Sequence, residues 1–290
     1  QAAADGVVFS FVEGGEPLLR PDIFDVLGSA AQEMQVWLRS NATLVDQDTA
    51  RALKARSVDS VVVDLFSADA GRHDAMSGVE GSFEAALEGI RNLRSVGMKV
   101  IVASLLTRYN HRDLPAFGDL LGELDVGKLG ILRLHPVGCA GDNWPELALS
   151  LAEMEEALAE AAQLEGVTVM HSWHPNDDNC CWQNAAVTAD GRSVGCPYLR
   201  DFVDYGNLRE QSLLETWADP LYRQLRGGER ADGGPLEACP TCSSTQQTRG
   251  GCRASAYAFH RDWSAPDPFC VTLNRGVDLR VLPDRTSQIG

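Results

Sequence analysis

The sequence predicts an α/β protein, a parallel sheet made of repeated βα units over residues 1–168, followed by a small cysteine-rich α+β region over 169–290. Two observations carry this. Short apolar runs bounded by turn or polar residues alternate with amphipathic helical periods through the first 150 or so residues, as buried strands and their covering helices do. Seven of the eight cysteines then fall in the C-terminal part, where the texture changes to short strands and turns.

In chain order, the strand-like runs are Val7 to Phe11, Met34 to Leu38, Val61 to Leu65, Val100 to Leu105 and Leu129 to Leu134. The clearest helix between them places Phe83, Ala86, Leu87, Ile90 and Leu93 on one face and stops at Gly97. Repeats of this kind give a parallel sheet, either open or curved toward a barrel. Ser150 and Glu153 stand in capping-box spacing ahead of a helix that buries Leu151, Met154, Leu158, Ala161 and Leu164, and that helix is expected to lead out of the sheet domain. Ala185 to Thr188 and Ser193 to Cys196 read as a hairpin turned by Asp190 and Gly191. One helix is expected from about Ser212 to Leu225, and Gly227 to Pro235 reads as an exposed loop.

At 290 residues the chain can bury a large core plus a smaller one. A formal charge of -16 opposes binding to nucleic acid, which draws on clustered Lys and Arg. No apolar run reaches the ~18 residues that a membrane span needs. No signal peptide is visible, so the cytoplasm is the expected compartment and the cysteines are expected to serve metal or redox chemistry rather than disulfides. A strand begins almost at once with no initiator Met, so the chain is expected to continue upstream of Gln1.

Cys181 and Cys196 stand as C-x9-G-x4-C, followed by Cys239 and Cys242 as C-x2-C, then Cys252 and Cys270. A hairpin or knuckle brings thiolates within reach of one metal centre, and soft thiolates select iron-sulfur clusters or zinc. A structural zinc site is the competing reading. With its R-G-G-C-R-A and A-P-D-P-F-C surroundings and the G-N-L-R-E-Q-S-L-L-E-T-W segment, the array resembles the SPASM extension of radical S-adenosylmethionine (SAM) enzymes over about residues 178–272. The resemblance implies one auxiliary 4Fe-4S cluster on Cys181, Cys196 and Cys252 with Cys180 as the upstream ligand. It implies a second on Cys239, Cys242 and Cys270. The motif's fifth cysteine falls on Thr248, which leaves that second cluster one ligand short.

Gly14, Gly15, Glu16 and Pro17 follow the first strand at its C-terminal end, where ligands collect in parallel sheets. Paired glycines let a ligand approach the backbone, and the carboxylate or nearby carbonyls can accept from an amine. This G-G-E-P resembles the radical SAM core, as do Ser40 and Asn41 after the second strand and the run from Asp64 to Glu84. The resemblance implies a partial (βα) barrel of radical SAM type that binds SAM through Gly14, Gly15, Glu16, Pro17, Ser40 and Asn41, with Asp64 facing the ribose. The C-x3-C-x2-C motif of the catalytic cluster is absent from residues 1–290, and the family's order places it upstream of Gln1.

The implied activity is reductive cleavage of SAM to a 5'-deoxyadenosyl radical that takes a hydrogen atom from the substrate. A peptide is the leading substrate class and a tetrapyrrole the alternative, with an electron donor such as a flavodoxin or ferredoxin as partner. A non-catalytic iron-sulfur or zinc protein is the competing class. Three further candidates are weaker. His171 and His174 form H-x-x-H without a third ligand nearby. Cys139, in P-V-G-C-A-G, is expected to be packed rather than nucleophilic, and Asp69, His73 and Asp74 are expected to be loop and helix-cap residues.

Overall fold

The computed structural model describes residues 2–171, 184–227, 251–271, 274 and 276–282. The chain packs into two compact units, one comprising residues 1–132 with 156–170 and the other 133–155 with 171–290.

The first unit holds the sheet. In order come β1 (Phe9–Val12), α1 (Ile23–Ala30), β2 (Gln35–Ser40), α2 (Gln47–Ala55), β3 (Ser60–Asp64), α3 (Ala70–Ser77), α4 (Ser82–Ser95), β4 (Lys99–Leu106), α5 (Leu114–Glu123) and β5 (Lys128–Arg133). Next are α6 (Gly138–Asp142) and α7 (Trp144–Leu147), both in the second unit, then α8 (Leu151–Ala161), and β6 (Thr168–His171) completes the sheet. The six strands lie side by side in chain order. Parallel pairing puts Trp37 opposite Ser60 and Ser60 opposite Lys99. A strand order without reversal is that of a singly wound βα barrel rather than of a doubly wound sheet.

Side chains alternate across each strand, so the sheet has two apolar faces. Val36, Leu38, Val61, Val63 and Val102 are fully buried, as are Leu27, Leu53, Ala86, Ile90 and Leu93 from the helices. The opposite face clusters Val62, Ile101 and Ala103 with Trp37 and Leu132. Phe9, Phe11 and Trp37 continue it as an edge-to-face aromatic group. Burial on both faces is why these strands read as continuous apolar runs.

Two helices depart from the sequence reading. α8 has its capping box, with the Ser150 N–H donating to Glu153 Oε2 at 2.8 Å. It buries Met154, Ala157 and Ala161 and leaves Leu151, Leu158 and Leu164 only half-buried. Rather than leading out of the sheet, it returns the chain to β6. That strand exposes every second residue and has no apolar run to announce it.

In the second unit, β7 (Ala186–Val187) and β8 (Ser193–Gly195) form the expected antiparallel hairpin, with Gly191 at φ +94° in its turn. The single helix expected to Leu225 is two, α9 (Leu213–Trp217) and α10 (Pro220–Gly227). Pro220 cannot donate to the preceding turn, and Asp219 caps the new helix by accepting the Leu221 N–H at 2.8 Å. α11 (Arg253–His260) follows Cys252. Among the described residues no helix is long and apolar enough to cross a membrane.

Candidate functional site

Glu16 organises the loop after β1. Its Oε1 accepts the Leu18 N–H at 3.0 Å and so caps the short 3-10 turn Pro17–Leu19. The same carboxylate accepts the Ser40 hydroxyl at 2.9 and 3.0 Å, and its Oε2 accepts the Asn41 N–H at 2.8 Å. Ser40 is buried, and its oxygen in turn accepts the Ala42 N–H at 3.0 Å. Glu16, Ser40 and Asn41, singled out separately in the sequence, are therefore one hydrogen-bonded unit joining the C-terminal ends of β1 and β2. Its acceptor capacity is largely taken up by these donors. The free acceptors beside it are backbone carbonyls of Gly14 and Gly15, which are exposed, and a Cβ built on either meets nothing within 4 Å. Such an open glycine shelf suits an amine-bearing ligand that must lie against the main chain.

Asp64, at the end of β3, is held by Arg39 from β2. Arg39 Nε reaches its two oxygens at 3.1 and 3.0 Å, and Nη2 bonds Oδ1 at 2.8 Å. Glu13 adds a longer contact to Arg39 at 3.6 Å. Asp64 thus sits in a two-pronged ion pair, and Arg39 is a site neighbour the sequence reading passed over. Its signal was its place on the alternating face of β2, in line with Trp37. A second unnoticed residue is Gly89 in α4, where a Cβ would stand 2.1 Å from the Ala42 carbonyl oxygen. The loop that carries Ser40 and Asn41 rests on that glycine, and a glycine inside an amphipathic helix was the available signal.

Asp69 and Asp74 are helix-cap residues, as expected. Asp69 accepts the Arg72 N–H at 2.8 Å, and Asp74 accepts the Phe83 N–H at 2.8 Å. His73 is buried between Phe66 and Phe83, accepts the Phe66 N–H at 3.1 Å, and is kept below the usual histidine range by burial. Cys139 on α6 is exposed rather than packed, because α6 is a short surface helix with no buried residue. His171 closes β6, while His174 lies outside the described residues.

The cysteine site is built in the second unit. Cys196 leaves the β8 hairpin and Cys252 precedes α11, and both belong to one buried cluster with Val194, Leu199, Tyr205 and Tyr222. Cys270 is also buried. Asp267 ties these segments together: it accepts the Cys252 N–H at 2.8 Å and the Phe269 N–H at 3.1 Å, and its carbonyl accepts the Cys270 N–H at 3.0 Å. Arg133 Nη1 meets the same carboxylate at 2.8 Å, with both side chains fully buried. Burial alone would raise the Asp267 carboxyl, but the Arg133 charge and these N–H donors hold it below the ordinary carboxylate range. Gly251 has φ +78°, and a Cβ there would stand 2.6 Å from that of Asp267, which accounts for the glycine before Cys252. Arg253 is buried with Nη1 on the carbonyls of Trp263 and Ala265 at 2.8 and 2.9 Å.

Cys180, Cys181, Cys239, Cys242 and Thr248 lie outside the described residues. Among the described ones no three metal-ligating side chains converge. Two thiols in one dry cluster, with their backbones pinned, fit a thiolate-ligated centre in donor chemistry.

The family model of the radical SAM superfamily matches residues 1–121, and that of an iron-sulfur cluster-binding domain, SPASM, matches residues 180–243. The AdoMet-dependent heme synthase of Methanosarcina barkeri is 26% identical over 93% of this chain and 84% of its own. The PqqA peptide cyclase of Methylocella silvestris is 26% identical over 93% of this chain and 76% of its own. SuiB of Streptococcus suis, solved with S-adenosylmethionine, shares the fold at a TM-score of 0.73 and 17% identity over 93% of this chain and 68% of its own. The chain belongs to the radical SAM enzymes, whose members use SAM and 4Fe-4S clusters, and it carries a SPASM domain behind its parallel sheet.

Proposed function

We propose that this chain binds SAM on the shelf of Gly14, Gly15, Glu16 and Pro17, with Ser40 and Asn41 behind it, and acts on a peptide substrate. The observation that carries the SAM site is the Glu16 carboxylate locked between Leu18, Ser40 and Asn41, which presents the Gly14 and Gly15 backbone as an open surface. When bound, SAM and the reducing cluster supply a 5'-deoxyadenosyl radical. The chain's own residues give place and shelter. Backbone carbonyls of Gly14 and Gly15 accept the amine, Glu16 and Ser40 hold those carbonyls in position, and Asp64, oriented by Arg39, faces the ribose hydroxyls. In the SPASM domain, Cys180, Cys181, Cys196 and Cys252 hold one auxiliary cluster, and Cys239, Cys242 and Cys270 are the ligands of a second. A flavodoxin or ferredoxin is the proposed electron donor.

A peptide is favoured by the likeness to the PqqA peptide cyclase across most of the chain. The equally broad likeness to the heme synthase keeps a tetrapyrrole as the second reading.

Gly15→Val tests the site, because a Cβ there meets no protein atom within 4 Å and φ is not in the left-handed region. The variant should keep the melting temperature of the parent while SAM affinity, measured by calorimetry under anaerobic conditions, falls by at least about 1.4 kcal/mol, tenfold in Kd. Equal affinity in parent and variant would remove SAM from this shelf. Substrate class is read by incubating the reduced protein and SAM with a peptide encoded beside its gene, or with a tetrapyrrole carboxylate, and measuring which one stimulates 5'-deoxyadenosine release.

A further inference from the structure

His135 lies two residues beyond β5, in the second unit, and neither the sequence reading nor the SAM site uses it. It is buried, and its Nδ1 stands 3.9 Å from the sulfur of Cys252, at the long end of hydrogen-bond reach to sulfur. The ring cannot swing away. It stacks on Tyr198 with centroids 3.5 Å apart and planes 13° from parallel. Cys252 is equally fixed, through its backbone N–H on Asp267.

We propose that His135 donates its Nδ1–H to the Cys252 sulfur and so sets the reduction potential of the auxiliary cluster that Cys252 ligates. The proposal rests on the reading of Cys252 as a cluster ligand. With its hydrogen on Nδ1 the imidazole donates to the sulfur, and a ligating thiolate can only accept. A ligating thiolate in a dry cluster gains from a donor aimed at it, since it has lost the water that would otherwise solvate its charge. Reduction adds negative charge to the cluster and its sulfurs. A donor on one sulfur therefore favours the reduced form and raises the potential. Asp267 and His135 thus divide the work on one ligand, the first placing its backbone and the second its sulfur.

The test compares the full chain, reconstituted anaerobically, with His135→Phe and His135→Gln. Phe keeps the stack on Tyr198 and removes the donor, whereas Gln retains an N–H. All three should hold the same iron and sulfide. In redox titrations followed by electron paramagnetic resonance, the potential should fall in His135→Phe and recover in part in His135→Gln. With isotopically labelled histidine, pulsed spectra of the reduced parent should show a weak coupling to one imidazole nitrogen, absent from the Phe variant. An unchanged potential in a Phe variant with full iron would overturn the proposal. So would a parent spectrum with no histidine coupling, or with the strong coupling of a direct iron ligand, and this reading stands even if both variants fail to fold. A parent that holds zinc or no metal at all would instead refute the cluster reading beneath it.

Discussion

Single residues in this chain hold their neighbours through charge, and the sign of each effect follows from the partner. Asp59 accepts from Lys99 at 2.9 Å, from Ser60 at 2.8 Å and from the Trp37 indole at 3.1 Å. The Lys99 bond first, then those of Ser60 and Gln35, hold its carboxyl down from 3.8 to about 2 against the opposing effect of burial. A depressed carboxyl stabilises the fold above its unfolded pKa and loses that contribution as pH falls through the folded one. The melting temperature should therefore drop between pH 3.8 and about 2, and the drop should be smaller in Asp59→Asn. Identical pH profiles would mean that Asp59 gains nothing from its partners. Pairs such as Arg39 with Asp64 were not legible in advance, because each half alone reads as a solvated strand-end charge. The G-G-E-P loop stood out because its residues are contiguous in sequence, whereas the ties from Glu16 to Ser40 and Asn41, 24 and 25 positions away, required the strands to be paired first.

Elements were legible to the extent that their pattern was local. The first five strands stand within two residues of their expected starts, since each is an apolar run closed by polar residues. β6 escaped because a half-exposed four-residue strand has no such run. The break between α9 and α10 was written in the Asp219–Pro220 pair but outweighed by the apolar spacing around it. α4 shows what an element can impose on a site. Its Gly89 admits the backbone of Ala42, itself at φ +60° and fully buried, and behind Ala42 lie Ser40 and Asn41. Gly89→Ala would raise helix propensity by about 1 kcal/mol. The Cβ at 2.1 Å from a carbonyl oxygen must nonetheless displace that loop, an overpacking cost of about 1–3 kcal/mol. Urea unfolding should show no net gain in stability, and calorimetry should show weaker SAM binding. A stabilised variant with the parent's affinity would refute the loop's dependence on this glycine.

On the scale of the whole molecule, the chain crosses between its two compact units at 132/133, 155/156 and 170/171. Residues 133–155 thus bring Arg133, His135 and Trp144 to the unit that holds the cysteines. Trp144 donates its indole N–H to the Leu279 carbonyl at 2.7 Å and stands edge-on to Phe259. A fragment of residues 169–290 has none of the three. It leaves Asp267 with its charge buried or exposed but without Arg133, a loss on the order of 3–5 kcal/mol in a small domain. Such a fragment should give no cooperative melt and retain no stable cluster on anaerobic reconstitution, whereas the full chain should do both; a folded, iron-bearing fragment would show that residues 133–155 are dispensable. The cysteine spacing made the metal-binding region legible, but this borrowed segment was not, because Arg133 and Asp267 are 134 positions apart. This repeated crossing also bears on how such proteins can be recombined. A chimera joined once, after the sheet, would splice a foreign strand exit onto a native cysteine region and sever the carboxylate that shapes it. Exchange of cluster modules between relatives therefore needs either the strand exit to travel with the cysteines or a matched arginine already waiting on the recipient.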